Sequence, residues 1–257
     1  MAADAIIRVE NLTARYGEKL VFDDVSFEVR RGEVFVILGG SGCGKSTMLK
    51  HLIGLYKPYA GRIWIEDDDI AVAEGAELDR IRRRFGVMYQ SGALFGSMDL
   101  LANVRLPLEE FTDLPLEAMN QVAEAKLKLV QLEGYGSYMP AELSGGMIKR
   151  GAIARAMALD PEILFLDEPS AGLDPITSAE LDATILRLSK TLGITFVVVT
   201  HELDSIYTIA HSVIMLDGRT KKIIARGDPK ELRDHATDPW VRSFFNRQIE
   251  GAEVQAT

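Results

Sequence analysis

The stretch Val34-Phe-Val-Ile-Leu38 runs directly into Gly39-Gly40-Ser41-Gly42-Cys43-Gly44-Lys45-Ser46-Thr47, and Met48, Leu49, Leu52 and Ile53 follow at helical spacing. An unbroken apolar run of this length reads as a strand covered on both faces, as in parallel sheets. The segment after it fits G-x-x-x-x-G-K-[ST] in the strand, loop, helix order that the pattern requires. Glycines let the backbone curl until successive amides face an anion, and the next helix adds the positive end of its dipole. Lys45 is then placed to reach the β- and γ-phosphates of a nucleotide, and Ser46 to ligate Mg²⁺. A glycine-rich turn with a chance lysine would not need all three parts in order.

Two further apolar runs, Ile163-Leu-Phe-Leu166 and Ile194-Thr-Phe-Val-Val-Val199, belong to the same sheet. The first ends in Asp167-Glu168-Pro169, which puts two acids at the carboxyl edge, where open α/β sheets bind ligands. Asp167 suits coordination of Mg²⁺ and Glu168 suits activation of an attacking water; two solvated acids in a turn are the plainer reading. The second run ends in His201 at the same edge, where a contact to the γ-phosphate is expected. Residues 6–12, 25–29 and 62–66 alternate as half-buried, antiparallel strands do. From about Pro115 to Leu159 the pattern is helical, with Leu116, Met119, Val122, Ala123, Leu127 and Val130 in one stripe. A second stripe holds Met147, Ile148, Gly151, Ala152 and Arg155. The expected fold is α/β, with a mostly parallel central sheet, an N-terminal antiparallel β-subdomain and an inserted helical subdomain. No linker or repeat divides the chain, so residues 1–250 form one domain, with the helical part at about 91–160 and 251–257 as a tail.

The 257 residues are 47% hydrophobic and 26% charged, the balance of a globular protein with a sizeable core, which excludes fibrous and disordered classes. Lysine and arginine total 29 against 38 acidic residues, a net charge of -9, so the basic footprint of a nucleic-acid binder is absent. The longest run without a formal charge, Phe85 to Met98, has 14 residues. That falls short of the roughly 18 to 20 that a spanning helix needs. No export signal is expected at the N-terminus, and the single cysteine excludes an intramolecular disulfide, so a reducing cytosol is the expected compartment.

Leu143-Ser144-Gly145-Gly146-Met147 resembles the signature of ATP-binding-cassette (ABC) ATPases, usually Leu-Ser-Gly-Gly-Gln, with Met147 as the departure. Ser144 can cap the helix that follows while the two glycines expose its first amides, a second anion site. The resemblance covers nearly the whole chain. Tyr16 lies where the family stacks an aromatic on adenine, and Gln90 follows Phe85-Gly-Val-Met-Tyr89 as the Q-loop glutamine. Ser170-Ala-Gly-Leu-Asp174 looks like the D-loop, and His201 matches the switch histidine. Gln90 comes 45 residues after Lys45, and Ser144 comes 23 before Asp167, in the family's order. The resemblance implies an ABC-type P-loop ATPase that uses ATP and Mg²⁺. ATP would be bound by Tyr16, by every residue of the loop from Gly39 to Thr47, and by Gln90. The metal would be held by Ser46, Gln90 and Asp167, with Glu168 and His201 catalytic. Ser144, Gly145 and Gly146 would contact the ATP of another subunit, beside the D-loop Asp174. With one copy of each motif, the chain is expected to work as a head-to-tail dimer around two ATP molecules.

The string Gln90-Ser-Gly-Ala-Leu-Phe95, the Leu-Ser-Gly-Gly-Met signature and Asp238-Pro-Trp-Val-Arg-Ser-Phe-Phe245 are similar to the ATPases of Mla (maintenance of lipid asymmetry) and Mce-associated phospholipid transporters. The implied partners are an integral permease, an Mce substrate-binding protein and, in some systems, a STAS-domain regulator. Phospholipid would move between inner and outer membranes, with this subunit peripheral on the cytoplasmic face of the inner one. Residues 91–104, apolar and rich in small side chains, would face the permease. The alternatives are a non-transport ATPase such as the iron-sulfur-cluster assembly type, or a transporter subunit for another substrate. Near the C-terminus, Asp238 can cap a helix that starts at Pro239, and Trp240, Val241, Phe244, Phe245 and Gln248 share a face expected to pack on the same subunit. Cys43, next to Lys45 and the loop amides, is expected to be alkylated readily and protected by ATP.

Overall fold

Strand β1 (Ala5–Tyr16) returns as β2 (Lys19–Arg30) through the two-residue loop Gly17-Glu18, with Tyr16 paired to Lys19. Both strands run well beyond the alternating cores visible in the sequence. After β3 (Val34–Gly39) and α1 (Lys45–Leu52), β4 (Ala60–Ile65) pairs antiparallel with β1, and the short β5 (Asp68–Asp69) completes a sheet of order β2-β1-β4-β5. The computed structural model describes residues 5–247, so Gln248, the domain limit at 250 and the 251–257 tail lie outside the described residues.

The second sheet takes β6 (Phe85–Met88), which follows α2 (Gly75–Arg82), together with β7 (Ile163–Asp167), β8 (Thr195–Val199), β9 (Ser212–Leu216) and β10 (Ile223–Gly227). Its order is β10-β9-β3-β8-β7-β6, parallel throughout except for β10. Alternation persists inside the all-apolar strands, because successive side chains enter different cores. Val34, Val36, Leu38, Leu164, Leu166, Phe196 and Val198 pack toward the helical subdomain. Phe35, Ile37, Ile163, Phe165, Val197 and Val199 pack toward α1 and the antiparallel sheet. This double burial places the carboxyl ends of β3, β7 and β8 side by side at one edge.

The helical subdomain comprises α3 (Leu100–Phe111), α4 (Leu116–Leu129) and α5 (Gly145–Ala156). It begins earlier than the helical pattern suggests, and the stretch 91–104 runs from a loop into the first turns of α3. Asp99 accepts the Ala102 amide at 2.8 Å and starts α3, which buries Leu100, Val104 and Leu108 despite Pro107 in its interior. The first stripe also needs trimming: Ala123, Leu127 and Val130 are buried, whereas Leu116, in the first turn of α4, is 56% exposed. Helix α6 (Pro175–Leu192) packs against α7 (Leu203–Ile209), and α8 (Pro229–His235) and α9 (Pro239–Phe245) close the described chain. Among the described residues no helix is long and apolar enough to cross a membrane.

Candidate functional site

The loop between β3 and α1 is built on close backbone approach. Gly39 sits at φ +148, and a Cβ there would collide with the Leu216 carbonyl and lie 2.7 Å from Cys43 Sγ. Gly44, in left-handed conformation, precedes α1 without a side-chain cap, so the first amides of that helix stay available to an anion. Lys45 Nζ donates to the carbonyls of Gly39 at 2.9 Å and Gly40 at 3.2 Å, which holds the ammonium over the curl. Ser46 Oγ donates to Asp167 Oδ1 at 3.4 Å across the sheet edge. Burial, and then the neighbouring Glu168 charge, push the Asp167 carboxyl above its usual range, which a cation would relieve.

Glu168 adopts φ +47, rare for a residue with a side chain, while its amide donates to the Val199 carbonyl at 2.8 Å. The turn that this conformation produces leaves the side chain 11% exposed, with Oε1 2.8 Å from His201 Nδ1. Oε2 is buried and has no hydrogen-bond partner among the described residues. A buried acceptor without a donor is costly in a folded protein, and the carboxylate as a whole lines the open cavity at this edge.

Tyr16, Gly39, Gly40, Ser41, Gly42, Gly44, Lys45, Ser46, Thr47, Gln90, Glu168 and His201 line one open cavity of about 680 Å³. Tyr16 is half exposed at its rim, edge-on to Tyr56, with its hydroxyl 3.4 Å from Thr47 Oγ1. Cys43 lies behind the loop, 3% exposed. Burial outweighs the Lys45 cation and raises its thiol pKa, so the expectation of a readily alkylated thiolate is corrected. Asp167 reaches the site through Ser46. Ser144, Gly145, Gly146 and Asp174 do not line the cavity. Ser144 instead caps α5, accepting the Met147 amide at 3.3 Å, and Asp174 caps α6, accepting those of Ile176 at 3.0 Å and Thr177 at 3.1 Å. Gly146 packs so closely on Thr177 of α6 that a Cβ would not fit without displacing that side chain.

The donor set of Ser46, Asp167 and the exposed Gln90 amide supplies hard oxygens, as Mg²⁺ prefers. Among the described residues no group of three or more His, Cys, Asp or Glu is placed to hold a metal alone. Lys19, Leu20, Val21, Lys221, Trp240 and Phe244 also line the cavity and escaped the sequence reading as site residues. For Trp240 and Phe244 the signal was the apolar face after Asp238. Two contacts were invisible in sequence. Lys149 Nζ of α5 donates to the Gln90 carbonyl, and Arg155 donates to those of Ala93 at 2.7 Å and Gly92 at 3.0 Å.

Comparison with known proteins gives concordant results. The sequence model of the family described as ABC transporter matches residues 22–171. The chain is 39% identical to the "Intermembrane phospholipid transport system ATP-binding protein MlaF" of Haemophilus influenzae, covering 96% of this chain and 92% of the relative. It is 40% identical to the "Probable ribonucleotide transport ATP-binding protein mkl" of Mycobacterium leprae, covering 96% of this chain and 70% of that one. Among solved structures, cbiO1 of Clostridium perfringens, part of the ABC transporter complex cbiONQ, superposes with a TM-score of 0.83 at 30% identity, covering 90% of this chain and 92% of that one. The dimeric post-hydrolysis ATP-binding cassette MJ0796, bound to ADP and Pi, gives 0.77 at 31% identity, covering 86% of this chain and 98% of that one.

Proposed function

The chain belongs to the ABC transporter family and is an ATPase, the ATP-binding subunit of a transporter, and on that premise we propose that it powers phospholipid transport between inner and outer membranes through a separate permease. The observation that carries this reading is the near end-to-end match with the phospholipid-transport relative. A second reading, ribonucleotide transport, rests on the mycobacterial relative, of which a smaller part is matched. The surface beside Gln90 suits a permease: Phe95 is 50% exposed on a loop that Asn103 holds through four hydrogen bonds. Such a contact would keep the subunit on the cytoplasmic face of the inner membrane. An Mce protein and a STAS-domain regulator are the further partners of this reading.

The site residues supply the hydrolytic chemistry as follows. Lys45 and the first amides of α1 bind the β- and γ-phosphates, and Tyr16 packs on adenine. Mg²⁺, held by Ser46, Asp167 and Gln90, would neutralise phosphate charge. The Glu168 carboxylate accepts a proton from the attacking water as oxygen bonds to the γ-phosphorus and the bridge to the β-phosphate breaks, leaving ADP and phosphate. His201 fixes Glu168 through Oε1. Ser144, Gly145 and Gly146 do not line the cavity of their own cradle, and a head-to-tail second copy would bring them to it.

Glu168→Gln tests the chemical half. It keeps the shape and removes the base, and a lost general base costs about 10²–10⁴ in rate. The variant should bind ATP, accumulate as a dimer in light scattering, and turn over at least about 100-fold slower. Hydrolysis near the parental rate refutes the assignment. For the substrate, the subunit purified with its permease should show ATPase stimulated by phospholipid and unmoved by ribonucleotides; the reverse selects the second reading.

A further inference from the structure

The C-terminal helix reaches the phosphate cradle. Asp238 caps α9 by accepting the amides of Trp240 at 2.8 Å and Val241 at 3.1 Å, and Val241 and Phe245 anchor the helix in the core. That anchoring turns Trp240 and Phe244 toward the cavity that Lys45, Glu168 and His201 line. The Trp240 ring lies over the first turn of the cradle, with Cζ2 3.8 Å from where a Cβ on Gly40 would stand. On the ring sits the Arg219 guanidinium, 5.5 Å from its centroid, held by Asp217 at 3.3 Å. Asp217 belongs to the turn whose neighbouring Leu216 carbonyl and Gly218 back the cradle at Gly39 and Cys43. Helix α9 is also bound to α7, which starts two residues after His201. Tyr207 donates its hydroxyl to the Phe245 carbonyl at 2.6 Å, and Arg247 pairs with Asp204 at 2.9 Å.

We propose that Trp240 is a positioning residue of the nucleotide site: it braces the Gly40 turn of the cradle and, through α9, ties that turn to the helix carrying on from His201. The inference rests on the reading of residues 39–47 as the ATP cradle. Two physical consequences follow. Nucleotide that loads the cradle shifts the surroundings of the indole ring, and removing the ring loosens the turn that grips the phosphates. The indole N–H adds to its sensitivity, since it donates to no acceptor among the described residues, whereas that of Trp64, the other tryptophan, donates to Glu10 at 3.1 Å.

The full chain carrying Trp64→Phe leaves Trp240 as its sole tryptophan and reports directly. Its emission should change saturably with Mg-ATP, at the same midpoint as binding of a fluorescently labelled ATP measured at the label. Trp240→Ala should raise KM for ATP roughly 3- to 10-fold with a smaller effect on kcat, the loss of about one cation–π and packing contact. Trp240→Phe, which keeps a ring over Gly40 and under Arg219, should restore KM to within about 2-fold. Flat Trp240 emission while labelled ATP binds, or an unchanged KM in Trp240→Ala, overturns the brace. Adding Lys45→Ala to the single-tryptophan chain separates the two readings: undiminished ATP binding there would overturn the cradle itself.

Discussion

Asp182 is a carboxyl buried on α6, 4% exposed, whose hydrogen-bonding neighbour is Ser205 of α7, the helix after His201. Burial raises its pKa from 3.8 to about 6, and the bond with Ser205 offsets only part of this. The folded state therefore holds a proton that the unfolded state has released between those two values. The Asp182 contribution is most favourable below pH 3.8, declines as pH rises toward 6, and is a constant penalty above it. A shift of about two units corresponds to about 3 kcal/mol at pH 7.5, and the same linkage leaves roughly 1 kcal/mol at pH 4.5. Asp182→Asn keeps an acceptor for Ser205 and removes the ionisation. It should raise the urea midpoint at pH 7.5, with Tm higher by roughly 6–12 °C, and give about a third of that gain at pH 4.5. The assay is equilibrium urea unfolding of parent and variant across pH 4.5 to 8. A gain independent of pH, or a loss at pH 7.5, would show that the carboxyl is not forced to ionise in an apolar setting.

Two further predictions concern groups around the loop. Lys149→Met removes the bond to the Gln90 carbonyl, a charge-assisted contact of about 1.5–3 kcal/mol, but also frees the fold of a cation whose pKa burial drives down. Thermal unfolding should stay within a few degrees of the parent by these offsetting effects while ATPase activity falls roughly 10-fold, because α5 no longer holds Gln90; equal losses in both measurements would reduce Lys149 to a stability role. Cys43 should react with a maleimide at pH 7.5 at least about 10-fold more slowly than free cysteine, with or without ATP, because a buried protonated thiol is a poor nucleophile. Rapid labelling blocked by ATP would restore the thiolate.

The residues proposed to surround the phosphates are legible in the sequence because the elements that carry them follow strands whose apolarity declares them. Gly39, Asp167 and His201 converge once β8 lies between β3 and β7, and parallel strands bring their carboxyl ends to one edge. Trp240 was visible only as part of an apolar face, since its approach to Gly40 depends on how α9 docks after some 200 intervening residues. Helix α3 was hidden for a local reason: Pro107 breaks the expected helical pattern, and Asn103 interrupts its apolar stripe. In the fold Asn103 is fully buried and its amide is satisfied, exchanging bonds with both backbone groups of Phe95 at 2.7 and 3.0 Å. Arg155 and Lys149 hold the other end of the same loop from α5. The segment from Gln90 to Asp99 is thus gripped at both ends by side chains of the helical subdomain. Gln90, Gly92 and Ala93 are thereby tied to α5, and Phe95 to α3 through Asn103. On the function proposed above, a permease contact at Phe95 would be coupled to Gln90 and α5 through these few carbonyl bonds.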